Sequence, residues 1–318
     1  MRVFVAGAAG AIGQQLLPRL TAQGHQVTAT TRSPGKAALL RELGAEPVVV
    51  DGLDATAVGK AVAQAEPAVI IHQMTSLAGA FNLRGFDKMF AVTNRLRTEG
   101  TDHLLAAAAA AGVRRFVAQS YTGWTNIREG GPVKSEDDPL DPDPPAMQRE
   151  SLAAIRHLEQ VVPAAAPMQG IVLRYGSFYG PGASDAFVDL ISKRKVPIIG
   201  DGAGIWSFLH IRDAAAATVA ALERGTPGIY NVVDDEPASV AEWLPFLAQA
   251  IGAKVPRRVP VWLGRLAAGE VGVSAMTQIR GSSNAKAKRE LGWQPAWPSW
   301  RQGFTRGLAE AEPARGAA

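Results

Sequence analysis

The first thirteen residues constrain this chain more than any other stretch. Val3-Phe4-Val5-Ala6 is an apolar, strand-length run that leads straight into Gly7-Ala8-Ala9-Gly10-Ala11-Ile12-Gly13 and a helix over 12–22. Gly7 permits a tight strand-to-helix turn, Gly10 lets the backbone come close to a pyrophosphate, and Gly13 lets the helix lie against the sheet. The N–H groups of Ala11, Ile12 and Gly13, with the helix dipole, then face an anion. A dinucleotide-binding loop is the expected role of Gly7, Gly10, Ala11, Ile12 and Gly13.

The residues behind this loop repeat one pattern. Apolar runs at 26–30, 47–50, 69–71 and 116–118 alternate with helical stretches at 36–43, 55–64 and a long one at 93–111. Runs of three to five residues, rich in Val and Ile and punctuated by Gly or Pro, fit strands buried on both faces. The expected fold is α/β, a Rossmann-type doubly wound parallel sheet with a smaller C-terminal substrate-binding portion. Residues 1–174 with 206–230 would form the nucleotide-binding part, and 175–205 with 231–318 the substrate part. A Pro-rich, acidic stretch at 129–145 reads as a loop, 229–233 as a strand and 240–251 as a helix. The tail around Leu291-Gly292-Trp293-Gln294-Pro295, Trp297 and Trp300 reads as ordered.

Composition removes several chemistries. The 318 residues include no cysteine, so disulfides, thiolate catalysis and Cys-built metal sites are excluded. His25, His72, His103, His157 and His210 show neither HxxxH nor HExxH spacing, and no metal site is expected. Lys and Arg number 33 against 29 for Asp and Glu, and these charges are scattered, so nucleic acid is not an expected partner. No apolar stretch reaches the length of a membrane span. Met1-Arg2-Val3-Phe4-Val5 leaves no room for a signal peptide. A cytoplasmic protein acting on a small molecule is expected.

The end of the second strand bears on the cofactor. An acidic residue there would bind ribose hydroxyls, but the stretch reads Thr30-Thr31-Arg32-Ser33, with Lys36 following. Arg32 suits a 2′-phosphate and no carboxylate repels it, so NADP is favoured over NAD. Asp51, closing the third strand, is placed to meet the adenine or to cap a turn.

Together with Gly112-Val113-Arg114-Arg115-Phe116-Val117, Leu173-Arg174-Tyr175-Gly176, Tyr179-Gly180-Pro181-Gly182, Leu209-His210-Ile211-Arg212-Asp213 and Leu291-Gly292-Trp293-x-Pro295, the glycine loop resembles the extended short-chain dehydrogenase/reductases of the NAD-dependent epimerase/dehydratase type. The resemblance runs nearly end to end, counts Arg174 among the cofactor residues, and allows a homodimer through the helices at 93–111 and 148–162. It also implies a Tyr-x-x-x-Lys pair on the helix after the acidic loop. Here the chain departs from the pattern, with no tyrosine between Tyr121 and Tyr175 and no lysine between Lys134 and Lys193. One register puts Met147 at the tyrosine position. The other puts Ser151 there and Ile155 at the lysine.

The strand-end serine or threonine of the family falls at Ser120 or Tyr121, the two candidate catalytic residues. A phenol titrating near pH 10 is protonated at neutral pH and donates to a carbonyl under reduction. Holding it as phenolate at pH 7 without a lysine costs about 4 kcal/mol, which favours the reductive direction. Trp124, Tyr179, Trp206 and His210 are the expected substrate-lining residues. The expected function is an NADP-dependent oxidoreductase reducing a carbonyl-containing metabolite without the Tyr/Lys pair. The alternatives are an epimerase, isomerase or lyase that retains the nucleotide, or a non-catalytic redox sensor. No pattern in the second half speaks for a nucleotide-sugar substrate.

Overall fold

The alternating pattern folds into a seven-stranded parallel sheet in a computed structural model that describes residues 1–77 and 83–309. Its strands are β1 (Arg2–Ala6), β2 (Gln26–Thr31), β3 (Glu46–Val49), β4 (Val69–His72), β5 (Arg115–Tyr121), β6 (Gln169–Tyr175) and β7 (Gly228–Val232). They lie in the order β7-β6-β5-β4-β1-β2-β3, so the chain winds outward in both directions from β1 and β4. This is the Rossmann-type doubly wound fold, and its crevice opens at the carboxyl ends of the strands.

Both faces of the sheet are apolar because both are covered. Phe4, Ile70, Phe116 and Val172 pack on one side with Val58, Val62, Leu104 and Leu158. These come from α3 (Ala55–Ala65), α5 (Glu99–Ala110) and α6 (Arg149–Val161). On the other side Val3, Val5 and Ile71 meet Leu16, Leu17 and Leu20 of α1 (Ala11–Ala22), with Ala215 of α8 (Ile211–Ala220). Each of these aliphatic side chains contributes about 1.5–3 kcal/mol when fully buried.

The long helix expected at 93–111 is two helices, α4 (Phe86–Arg97) and α5, divided at Thr98. Thr98 takes φ −95° and ψ −86°, and its hydroxyl donates to the Asn94 carbonyl. The jog lets Gly100 press against Gly52 and Met74, where an added Cβ would stand 3.3 Å from the methionine methyl. Local helix propensity does not foretell a break made by tertiary contact.

Apart from α8 and β7, which belong to the sheet and its cover, most residues beyond β6 build the other half. α7 (Asp185–Ser192), α9 (Val240–Ala250) and α12 (Trp300–Arg306) enclose Phe208, Trp243, Trp300 and Phe304. α10 (Val261–Thr277) is bent at Gly269, whose φ of +68° and ψ of −173° interrupt the helix. α11 (Ala285–Leu291) and Trp293 pack on β7's side of the sheet.

Two buried histidines are held neutral in this framework. In His72, Nδ1 accepts from the Met74 N–H, while Nε2 faces the Leu96 carbonyl and the Thr101 hydroxyl. In His210, Nδ1 caps α8 by accepting from the Arg212 N–H, and Nε2 donates to the Gly307 carbonyl. Burial pulls each imidazole down from 6.5 to about 4. A histidine depressed in the folded state stabilises above its unfolded pKa and loses that stability as pH falls from 6.5 toward 4. Buried Asp213 and Asp234 are raised and act in the opposite sense, so the histidine effect must be read as a difference between proteins. His210→Asn keeps a cap acceptor but loses the titration. Its cost in urea unfolding should shrink by about 3 kcal/mol between pH 7 and pH 4. A cost independent of pH would contradict a neutral, buried His210.

Candidate active site: a nucleotide groove beside an aromatic cavity

A groove of about 510 Å³ crosses the ends of β3, β2, β1 and β4. Gly7, Gly10, Arg32 and Asp51 line it, with Thr30, Lys36, Gln73 and Met74. Thr30 holds the glycine loop in place: its hydroxyl accepts from the Gly7 N–H at 3.1 Å and its carbonyl from the Ala8 N–H at 3.0 Å. Gly7 has φ +82°, and a Cβ there would sit 2.7 Å from the Gln73 carbonyl oxygen. A Cβ on Gly13 would sit 1.9 Å from the Ala8 carbonyl oxygen, so α1 reaches its close packing only with glycine. Gly10 is different. It is exposed, and its added Cβ would meet only the Gly7 oxygen at 3.5 Å.

These features fit a nicotinamide dinucleotide. No side chain caps α1, so the N–H groups of its first turn, Ala11 to Gly13, remain for an anion. The Oε1 of Gln73 is buried in the groove without a hydrogen-bond partner among the described residues, leaving an acceptor for a ligand. Arg32 and Lys36 stand exposed on the groove. Asp51 lines the groove, and its Oδ1 accepts from the Leu53 N–H in a turn.

The next strand end carries Tyr121, which opens into a second cavity of about 620 Å³. Phe86, Tyr121, Trp124, Phe187 and Trp206 form its aromatic side, and α10 forms much of the rest through Leu263, Val271 and Met276. Among the described residues its wall includes two cations, Arg84 and Lys195, and no carboxylate. The Tyr121 hydroxyl stands 3.0 Å from the Ser177 hydroxyl, and its ring stacks on Trp124. Burial raises the phenol's pKa, so it stays protonated at neutral pH. The Trp206 indole N–H donates to the Ala275 carbonyl and ties this wall to α10.

Four expected site residues lie elsewhere. Ser120 points under the sheet edge and donates to Glu159 at 2.8 Å, away from the cavity, since side chains alternate along β5. Arg174, its register partner on β6, is clasped by the same carboxylate at 2.7 and 2.6 Å, so its guanidinium is not offered to a cofactor. Tyr179 belongs to the core, with its ring edge-on to His210 and Phe304 under α12. His210 is the α8 cap stacked on Trp297, with both ring nitrogens engaged.

The helix expected to carry the missing pair is α6. Ser151 is fully buried and donates to Asp87, Ile155 is fully buried, and Met147 is exposed. Neither register supplies a reactive group. Sequence reasoning missed Asp87, which reaches from α4 to accept from the Glu150 and Ser151 N–H groups and so caps α6. It also missed Glu159, Gln73 and the α10 wall. Their partners lie across the fold, and no local spacing marks them.

Fold, groove and cavity together define a nicotinamide-dependent enzyme of the doubly wound class. The chain belongs to the NAD dependent epimerase/dehydratase family, whose model matches residues 3–232. It is 44% identical over 313 residues to a 3-diazoavenalumate denitrifying reductase of a Streptomyces species, covering 96% of this chain and all of that one. A 4-hydroxy-2-methyl-3-oxo-4-farnesyl-3,4-dihydroquinoline-1-oxide ketoreductase of Stigmatella aurantiaca is 28% identical, covering 84% of this chain and 79% of its own. The fold matches the UDP-glucose 4-epimerase of Thermus thermophilus in complex with NAD at a TM-score of 0.73, with 24% identity and coverage of 97% and 98%. Reductase relatives and family together make this an NAD(P)-dependent oxidoreductase-type enzyme.

The two glycines separate binding from folding. Gly10→Val, at φ −80° with open space around it, should leave the melting temperature within about 2 °C and weaken dinucleotide binding at least about tenfold. Gly13→Ala should cost several kcal/mol of stability. Calorimetric titration and thermal melts of both variants check this, and equal effects in the two would contradict the groove.

Proposed function

We propose that this protein is an NADPH-dependent reductase of a small, anionic aromatic compound, working without a Tyr/Lys pair. The observation that carries this reading is the cavity: aromatic and aliphatic walls, the cation of Lys195, no carboxylate among the described residues, and a neutral phenol at the strand end beside the nucleotide groove. Its group of five aromatic side chains suits a planar ring, and Lys195 on its wall suits a carboxylate on that ring.

The group reduced is a diazo function, lost as dinitrogen. The relative at 44% identity bears a name describing that reaction, and the missing pair supports the same reading. Carbonyl reduction leaves an alkoxide that needs a proton. Replacing an arenediazonium nitrogen by hydrogen leaves none. When bound, the reduced nicotinamide supplies two electrons and one hydrogen as hydride, so a C–H bond replaces the C–N bond and N₂ departs with the positive charge neutralised. The protein's own task is then to hold the ring in the aromatic cavity, and Tyr121 with Trp124 forms one side of it.

A second reading keeps the carbonyl acceptor, with Tyr121 donating the proton. The ketoreductase relative favours it. The two readings part at Tyr121→Phe. With a diazo aromatic acid, turnover followed by N₂ release and NADPH loss should change less than about threefold in this variant. With a ketone substrate, loss of the donor should lower kcat by about a hundredfold or more. If wild type turns over neither class, both readings fail.

The cofactor choice has its own test at Arg32. Arg32→Ala should weaken NADPH about tenfold or more through loss of a charge-assisted contact to the 2′-phosphate, with little effect on NADH. An equal effect on both nucleotides, or tighter NADH binding by wild type, would move the assignment to NAD.

A further inference from the structure

Helix α4 joins the two halves of the site. Phe86 at its start lines the aromatic cavity and Leu96 near its end lines the nucleotide groove. Near that end, three residues apart and so on one helix face, lie Asn94 and Arg97. Both are more than nine-tenths buried, and both carry polar atoms that lack a hydrogen-bond partner among the described residues: Oδ1 of Asn94, and Nε and Nη1 of Arg97.

Neighbouring groups leave these atoms unpaired. The Ser151 hydroxyl donates to Asp87, so it accepts from Asn94 Nδ2, which fixes the amide with Oδ1 free. Glu159 is near enough to favour the Arg97 charge, yet its oxygens already bind Arg174 and Ser120. The guanidinium folds back over Phe90, 5.9 Å from the ring centroid, and Phe90 stacks on Phe86 at 4.4 Å. Phe90 and Phe86 thus lead from the guanidinium toward the substrate cavity, and Leu96, the neighbour of Arg97 in sequence, lines the groove. Burial draws the guanidinium down to about 10, so it remains a cation at neutral pH. A buried guanidinium with two idle donors is costly, and a ligand that accepts from them offsets that cost.

We infer that Arg97 and Asn94 hold the hydroxyls of the nicotinamide-side ribose, Arg97 by donating an unpaired guanidinium N–H and Asn94 by accepting at Oδ1. A vicinal diol both donates and accepts, which is the complement of this donor–acceptor pair. In a doubly wound fold the dinucleotide lies along the carboxyl edge of the sheet, and this pair flanks the step from β4 toward β5. The inference rests on the NADPH reading above and names the residues that position the reactive half of the cofactor.

The test compares whole and half ligands. NADPH contains the nicotinamide ribose, whereas adenosine 2′,5′-bisphosphate contains only the other half. In calorimetric titrations Arg97→Met should raise the Kd for NADPH by about ten- to a hundredfold and leave that for adenosine 2′,5′-bisphosphate within about twofold. Asn94→Leu should do the same more weakly. If Arg97→Met does not fold, Arg97→Lys keeps the charge but loses the fork, and a rise of about fivefold or more for NADPH alone supports the assignment. Unchanged NADPH binding, or parallel weakening of both ligands, overturns it. Failure of wild type to bind NADPH at all would overturn the reductase reading and this inference with it. Normal wild-type binding with an indifferent Arg97→Met overturns the inference alone.

Discussion

The carboxylate of Glu159 is the interaction on which the site's geometry depends. It receives the guanidinium of Arg174 in a two-pronged bond and the hydroxyl of Ser120 beside it, all within the interior. Ser120 and Arg174 face each other across β5 and β6, so one side chain of α6 grips two neighbouring strands at their carboxyl ends. A buried ion pair adds little net stability against apolar packing, but loss of one partner leaves a charge stranded at a cost of about 3–5 kcal/mol. What it supplies is position. The next residue of β5 is Tyr121, and its place in the cavity follows from the grip one residue earlier.

The same scaffold extends through α4. Asp87 caps α6 from across the helix pair and orders Ser151, and Ser151 in turn orients Asn94. A chain of polar groups therefore runs under the site from Glu150 to Asn94, along the helix that carries the Tyr/Lys pair in redox members of the family. Here that helix offers a bonded serine and an apolar isoleucine. The chemistry moves accordingly. With no lysine to lower a phenol's pKa, and with Tyr121 pushed further up by burial, the phenol of this cavity stays protonated at neutral pH.

The parts of this protein legible in its sequence are those that local physics dictates. Gly7 and Gly13 sit where a Cβ has no room, and the runs that become β1, β4 and β5 are apolar on both faces because both are covered. Tyr121, Trp124 and Trp206 were visible as aromatic residues near the ends of strands, and they converge on one cavity. Ser120 and Tyr121 were indistinguishable until the alternation of β5 assigned one to Glu159 and the other to the cavity. Tyr179 and His210 looked alike as polar aromatics in Gly-rich or strand-end surroundings, yet α12 covers both. The chain passes α12 about a hundred residues later, so nothing near Tyr179 announces it.

From its sequence alone this protein is determined to be a doubly wound α/β fold with a nucleotide loop at its first turn and without the usual Tyr/Lys pair. Steric exclusion at glycine, continuous apolar runs of strand length and the absence of residue types act within a few neighbours and need no tertiary knowledge. Only the tertiary structure decided which charges are free and which are engaged. Arg174 and Arg97 are both arginines beside apolar residues, and one is neutralised by Glu159 while the other keeps two donors unpaired. Pairing across 15 residues in one case, and its lack in the other, depends on where α6 and α4 pack on the sheet, which is a property of the assembled core.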